Sequence, residues 1–181
     1  ILISSNLERL IYLSAGCDAS VSAALMRELS ENGSYTVTDE MRRFMEDFVG
    51  GYADQKQNAD TIRRIFKDTG YLVDTHTGVA AAVYYDYVNR TKDTAKTVIA
   101  STASPFKFSR SVMEAVQGAG ENGNADETAA MDEFAVVDAL SSLSGVPVPQ
   151  AVEEIRTAPV RHNLECDVDR MKDTVKGILK I

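Results

Sequence analysis

Apolar residues recur three and four apart along most of the chain, and in three short places they run together instead. The first pattern predicts amphipathic helices and the second short buried strands. Leu7, Leu10 and Ile11 mark one helix face behind the turn Ser4-Ser5-Asn6. Asp18 is placed to cap a second helix carrying Val21, Leu25 and Leu29, with Gly33 as its stop. Thr38 caps a third, whose Met41, Phe44, Met45 and Phe48 form the clearest stripe and are expected in a core. Beyond Gly50-Gly51, Asp54 and Gln57 read as a capping box opening a helix with Ile62, Ile65 and Phe66 inside. Arg63, Arg64 and Lys67 are expected in its last turns, and Gly70 ends it. Asp74-Thr75 then starts a helix running from His76 to about Asn89, apolar nearly all round at 79–83 and so expected to be well buried. Further helices are predicted at 109–117, 128–144, 149–157 behind Pro149, and 167–179 with Asp167 as cap.

The three unbroken runs are 1–3, 71–73 and 97–100. Thr97-Val98-Ile99-Ala100 is β-branched without alternation, as in a strand covered on both faces. Together these features predict an α/β chain: an incomplete, mostly parallel open sheet flanked by many helices. About three strands are visible where open sheets commonly have about four to six. The chain also opens on Ile1-Leu2-Ile3, with no Met and no polar lead-in, which suggests a fragment. Residues 1–117 read as one α/β part with a helical excursion near 18–50, residues 118–127 as a linker or surface loop, and residues 128–181 as a helical region.

Composition narrows the classes. The 181 residues carry 19 Lys and Arg against 27 Asp and Glu, a formal charge of −8. A chain this acidic is a poor candidate for binding a nucleic-acid backbone, which requires a basic face. Its apolar runs are far shorter than the ~20 residues of a membrane span. Cys17 and Cys166 make no disulfide scaffold, and reduced thiols in the cytoplasm are the simpler reading. His162 and Cys166 are four apart, but two His and two Cys in the whole chain do not favour a metal site.

Three junctions share one design: a short extended run, a polar loop, then a helix. The loops are Ser4-Ser5-Asn6, Asp74-Thr75-His76-Thr77-Gly78 and Ser101-Thr102-Ala103-Ser104. In open α/β sheets ligands gather beyond the carboxyl ends of the strands, and helix N-termini favour anions. Phosphate or carboxylate is the implied ligand class. The same residue types also serve simply as helix caps. His76 is the only histidine near such a loop; it could orient a substrate or move a proton, or bond within its own helix start. Lys107, between Phe106 and Phe108, is a candidate cation or a surface lysine whose stem packs on them.

Those loops also carry a family likeness. Ile3-Ser4-Ser5-Asn6-Leu7-Glu8-Arg9-Leu10, then Thr69-Gly70-Tyr71-Leu72-Val73-Asp74-Thr75-His76-Thr77-Gly78-Val79, then Ala100-Ser101-Thr102-Ala103-Ser104-Pro105-Phe106-Lys107-Phe108 resembles the C-terminal part of threonine synthase. The likeness covers at least residues 1–117, and the tail, at 143–149 and 166–169, resembles bacterial members more weakly. The resemblance implies a pyridoxal-phosphate enzyme of the tryptophan-synthase-β-like fold, converting O-phospho-L-homoserine and water to L-threonine and phosphate. It implies that Thr102 hydrogen-bonds the cofactor's pyridine nitrogen, that Ser5, Asn6 and Arg9 help hold the substrate phosphate, and that His76 and Thr77 lie near the active-site rim. Ser104 stands where the family often has His. None of Lys56, Lys67, Lys92, Lys96, Lys107, Lys172, Lys176 or Lys180 matches the family's Schiff-base lysine motif, and the loop that cradles the cofactor phosphate is not matched either. The chain alone is therefore expected to be inactive, to bind pyridoxal phosphate weakly or not at all, and to need an N-terminal part of the same polypeptide. The alternatives are a portion of another enzyme on that fold, such as a serine/threonine dehydratase or cysteine synthase, and a non-catalytic module for a phosphate ligand.

Overall fold

The computed structural model describes residues 4–118, 125–161 and 163–181, and among these every regular element is helical. Two compact units form, residues 1–51 and 52–181.

In the first unit α1 (Ser5–Ser14) packs on α2 (Ala19–Asn32) and α3 (Asp39–Phe44). Each helix starts where the sequence places a cap. Ser4 accepts from the Leu7 N–H, Asp18 from Ser20 and Val21, and Thr38 from Met41. Ile11 and Met41 are the buried apolar side chains here. The Met-Phe stripe does not form a core face. The helix ends at Phe44, which removes the helical register, and Phe44 and Phe48 are exposed.

The second unit holds α4 (Gln55–Thr69), α5 (Thr75–Thr91), a 3₁₀ turn (Pro105–Phe108), α6 (Ser109–Gln117), α7 (Ala125–Ala130), α8 (Glu133–Ser144), α9 (Gln150–Ile155), a second 3₁₀ turn (Val168–Arg170) and α10 (Met171–Leu179). Helix α4 packs on α5 and α6, and α6 on α8. Ile62, Leu72, Val73, Phe106, Val112, Val136 and Leu140 form one apolar core between them. Burying a side chain of this size is worth roughly 1.5–3 kcal/mol. The predicted capping box is present, with the Asp54 and Gln57 side chains exchanging bonds with each other's backbone N–H, and Gly33 and Gly70 close their helices in the left-handed conformation.

The expected sheet is absent among the described residues. A strand is defined by a ladder partner, and neither 71–73 nor 97–100 has one. Leu72 and Val73 are buried under helices as an extended connection, whereas Val98 is 93% exposed, the opposite of a strand covered on both faces. The α/β expectation is thus replaced by an all-helical architecture among the described residues. The strand expected at 1–3, His162, and most of the 118–127 loop lie outside the described residues.

Smaller departures have local causes. The helix expected over 128–144 is two, because Asp132 caps α8 by accepting from Phe134 and Ala135. Asp167 makes no side-chain cap bond. Helix α5 is partly rather than fully buried, with Thr77, Gly78 and Ala81 its inward positions. Helix α4 extends to Thr69, so Arg63 lies mid-helix; its Nε donates to the Ala115 carbonyl at 2.9 Å, near the negative end of α6. No described helix is long and apolar enough to cross a membrane.

Candidate functional site

The geometry concentrates at the start of α5. Asp74 caps the helix and its side chain is fully buried. Its Oδ1 accepts from the His76 backbone N–H at 2.8 Å and lies 3.1 Å from His76 Nδ1. Its Oδ2 accepts from the Thr77 hydroxyl. Burial alone would raise this carboxyl's pKa, but the bonds from Thr77 and His76 outweigh it and hold the pKa below the usual carboxylate range. Among the described residues no Lys or Arg pairs with Asp74, so hydrogen bonds and the helix N-terminus balance its charge.

Thr77 carries the arrangement further. Its hydroxyl oxygen is 3.1 Å from Ser101 Oγ, at the opening of the third polar loop. A threonine hydroxyl has one proton and two lone pairs. With that proton directed to Asp74, Thr77 accepts from Ser101. The loop is also fixed downstream: Ser104 accepts from the Phe106 N–H at 3.2 Å, Phe106 is buried in the core, and the Phe108 ring lies 4.9 Å from the His76 ring. Thr102 lies between these anchors, with an exposed side chain. Lys107 is exposed, its Nζ 5.6 Å from the Phe108 ring centroid.

The structure therefore brings His76 and Thr77 together with the loop that bears Thr102. Ser5, Asn6 and Arg9 belong to the other unit, on the first turns of α1, where all three are exposed. Ser5 and Arg9 line a concave site of about 590 Å³ with Tyr12 and Ser22. A second concavity, of about 620 Å³, is lined by Lys56, Asn58, Arg63, Thr75, Ser111 and Glu114. Among the described residues no cluster of His, Cys, Asp or Glu could hold a metal ion, and both cysteines are free and exposed.

Two relationships escape a reading of the sequence. Asp74 appears there as a cap, not as a buried hub; the signal was Thr77 three residues on, with a hydroxyl on the same helix face. Gly78 is the other. A Cβ built on it would overlap Asn58 Oδ1 and lie 2.7 Å from Ile62 Cγ1, so α4 and α5 pack closely there and a larger residue would force those side chains to shift. A glycine inside a helix costs about 1 kcal/mol relative to alanine, which points to a packing reason.

The chain is similar to known proteins over most of its length. The chain's helical arrangement is shared with part of a larger enzyme, yeast threonine synthase (TM-score 0.61, 21% identity, 100% of this chain and 35% of that one). A pyridoxal-phosphate-bound threonine synthase from Brucella melitensis is similar over 78% of this chain and 32% of its own (TM-score 0.52, 26% identity). Among curated proteins, threonine synthase of Schizosaccharomyces pombe is 32% identical over 124 residues, 62% of this chain and 24% of that protein. Human threonine synthase-like 1 is 30% identical over 119 residues, 65% of this chain and 16% of that protein. The chain thus spans a quarter or less of these curated relatives. The family model for the threonine synthase C-terminal region matches residues 77–175, and the chain belongs to that family.

Proposed function

We propose that this chain is the C-terminal part of a threonine synthase, which uses pyridoxal phosphate to convert O-phospho-L-homoserine and water to L-threonine and phosphate. The observation that supports this best is the family match over 77–175, which takes in Thr77 and the whole Thr102 loop. The relatives and solved structures named above are threonine synthases or threonine synthase-like proteins, which favours this reaction over a dehydratase, a cysteine synthase or a non-catalytic module.

The residues present fit one contact of the cofactor. Thr102 offers an exposed hydroxyl on a loop tied down on both sides, suited to a ring nitrogen. When bound, the cofactor supplies an electron sink for bonds at the substrate's amino-bearing carbon. A neutral hydroxyl at its nitrogen, unlike a carboxylate, leaves that nitrogen short of full protonation and moderates the sink. His76, held through Nδ1 beside Asp74, keeps Nε2 as the ring atom that can hold or move a proton at the rim. Ser5, Asn6 and Arg9 offer hydroxyl, amide and guanidinium donors suited to the substrate phosphate.

No lysine of the chain matches the Schiff-base motif. The chain alone is therefore proposed to be inactive and to work with an N-terminal part that carries that lysine and the phosphate-cradling loop. Two free cysteines favour a cytoplasmic setting. The test is absorbance spectroscopy on adding pyridoxal phosphate. The polypeptide joining both parts should develop a cofactor band that free pyridoxal phosphate lacks, and no band from a folded, joined polypeptide would refute the reading.

A further inference from the structure

We propose that Asp74 and Thr77 are positioning residues for the 101–104 loop: Asp74 orients the Thr77 hydroxyl, and that hydroxyl holds Ser101. The significance of this for catalysis rests on the reading of Thr102 as the cofactor contact; the positioning itself does not.

Capping alone does not explain Asp74. The caps Asp18, Asp54 and Asp132 do the same work for α2, α4 and α8 from exposed positions. Asp74 is instead fully buried, where a carboxylate is expensive unless every lone pair is used. A cap needs one oxygen facing the helix N–H groups. Asp74 uses Oδ1 for that, and its Oδ2 goes to a side chain, Thr77, whose own partner is in another segment. Thr77 is itself 95% buried, so water does not readily substitute for its bond to Asp74.

The consequence falls on the loop. Residues 92–104 form no regular element, and such a segment has many backbone states open to it. Its end is fixed by Ser104 at the 3₁₀ turn and by Phe106 in the core. The Thr77–Ser101 contact adds the second anchor, leaving Thr102 and Ala103 between two fixed points. Removing that contact frees the approach to Thr102 while α5 keeps its cap.

The test uses the full-length protein labelled at threonine methyl groups, with Thr77→Val and Thr77→Ser variants. Thr77→Val keeps the shape and removes the hydroxyl; Thr77→Ser keeps the hydroxyl. Two quantities are read: the order of the Thr102 methyl by NMR relaxation without cofactor, and the Kd for pyridoxal phosphate by absorbance. The expected result is loss of order at Thr102 in Thr77→Val with a roughly threefold to tenfold higher Kd, both restored in Thr77→Ser. Unchanged order at Thr102 in a folded Thr77→Val protein overturns the proposal, whatever the Kd does. Order lost in Thr77→Val, with a Kd unmoved there and in Thr102→Ala, supports the positioning role and removes Thr102 as the cofactor contact.

Discussion

The Thr77 hydroxyl oxygen stands 3.1 Å from Ser101 Oγ, across 24 residues of sequence, and joins the first turn of α5 to the loop that bears Thr102. Asp74 anchors one side of this contact from a fully buried position, and Phe106 and Phe108 anchor the loop from the other. The polar junctions that read as separate helix starts are, for these two, one hydrogen-bonded assembly.

Thr102 is exposed, so replacing it should leave folding within about 0.5 kcal/mol. In the full-length enzyme Thr102→Ala should weaken pyridoxal phosphate by roughly threefold to tenfold, the loss of one hydrogen bond, and lower turnover. Titration by absorbance with a parallel thermal melt checks both halves. An unchanged affinity and rate would remove Thr102 from the cofactor role.

Gly78 and Gly177 should respond in opposite directions to alanine. At Gly78 the added methyl meets Asn58 and Ile62, and the strain should cost about 1–3 kcal/mol. At Gly177, inside α10, nothing lies within 4 Å of the added carbon, and the gain in helix propensity should be roughly 0.5–1 kcal/mol. Urea unfolding of the two variants measures this; equal effects would contradict the close approach of α4 and α5.

Asp74 makes a signed prediction about pH. Its folded pKa is lowered, so its contribution to stability is fully present above the unfolded carboxylate value of about 3.9 and is lost as pH falls through the folded value. Wild type should therefore lose more stability than Asp74→Asn as pH falls from 6 toward 2. Denaturant midpoints at several pH values show this as converging curves, and parallel curves would mean that Asp74 is not held ionised by its partners.

Leu140 and Val98 separate the observed helical core from the expected sheet. Leu140 is fully buried among α6 and α8 side chains, and Leu140→Ala should cost about 2–5 kcal/mol. Val98 is 93% exposed, and Val98→Thr should change stability by less than about 0.5 kcal/mol. A large loss at Val98 would restore the buried strand that the structure lacks.

Local features were legible from the sequence because their partners are two or three residues away. The caps Asp18, Thr38 and Asp74 and the Asp54–Gln57 box all stand where the pattern puts them. The expected sheet failed because it depended on distant partners. The run 97–100 has the composition of a buried strand, but a strand exists only with a neighbour, and none pairs with it among the described residues. The stripe from Met41 to Phe48 has helical spacing but outlasts its helix, which ends at Phe44. In the candidate site the residue types were visible, while the burial of Asp74 and the reach of Thr77 to Ser101 depend on the tertiary fold.

The most direct test of the account is the release of phosphate from O-phospho-L-homoserine, followed together with threonine, by this chain alone and by the polypeptide joining it to a lysine-bearing N-terminal part. Equal amounts of phosphate and threonine are expected from the joined polypeptide in the presence of pyridoxal phosphate, and neither from the chain alone. Turnover by the 181-residue chain alone, or none by a folded, cofactor-loaded joined polypeptide, would contradict it.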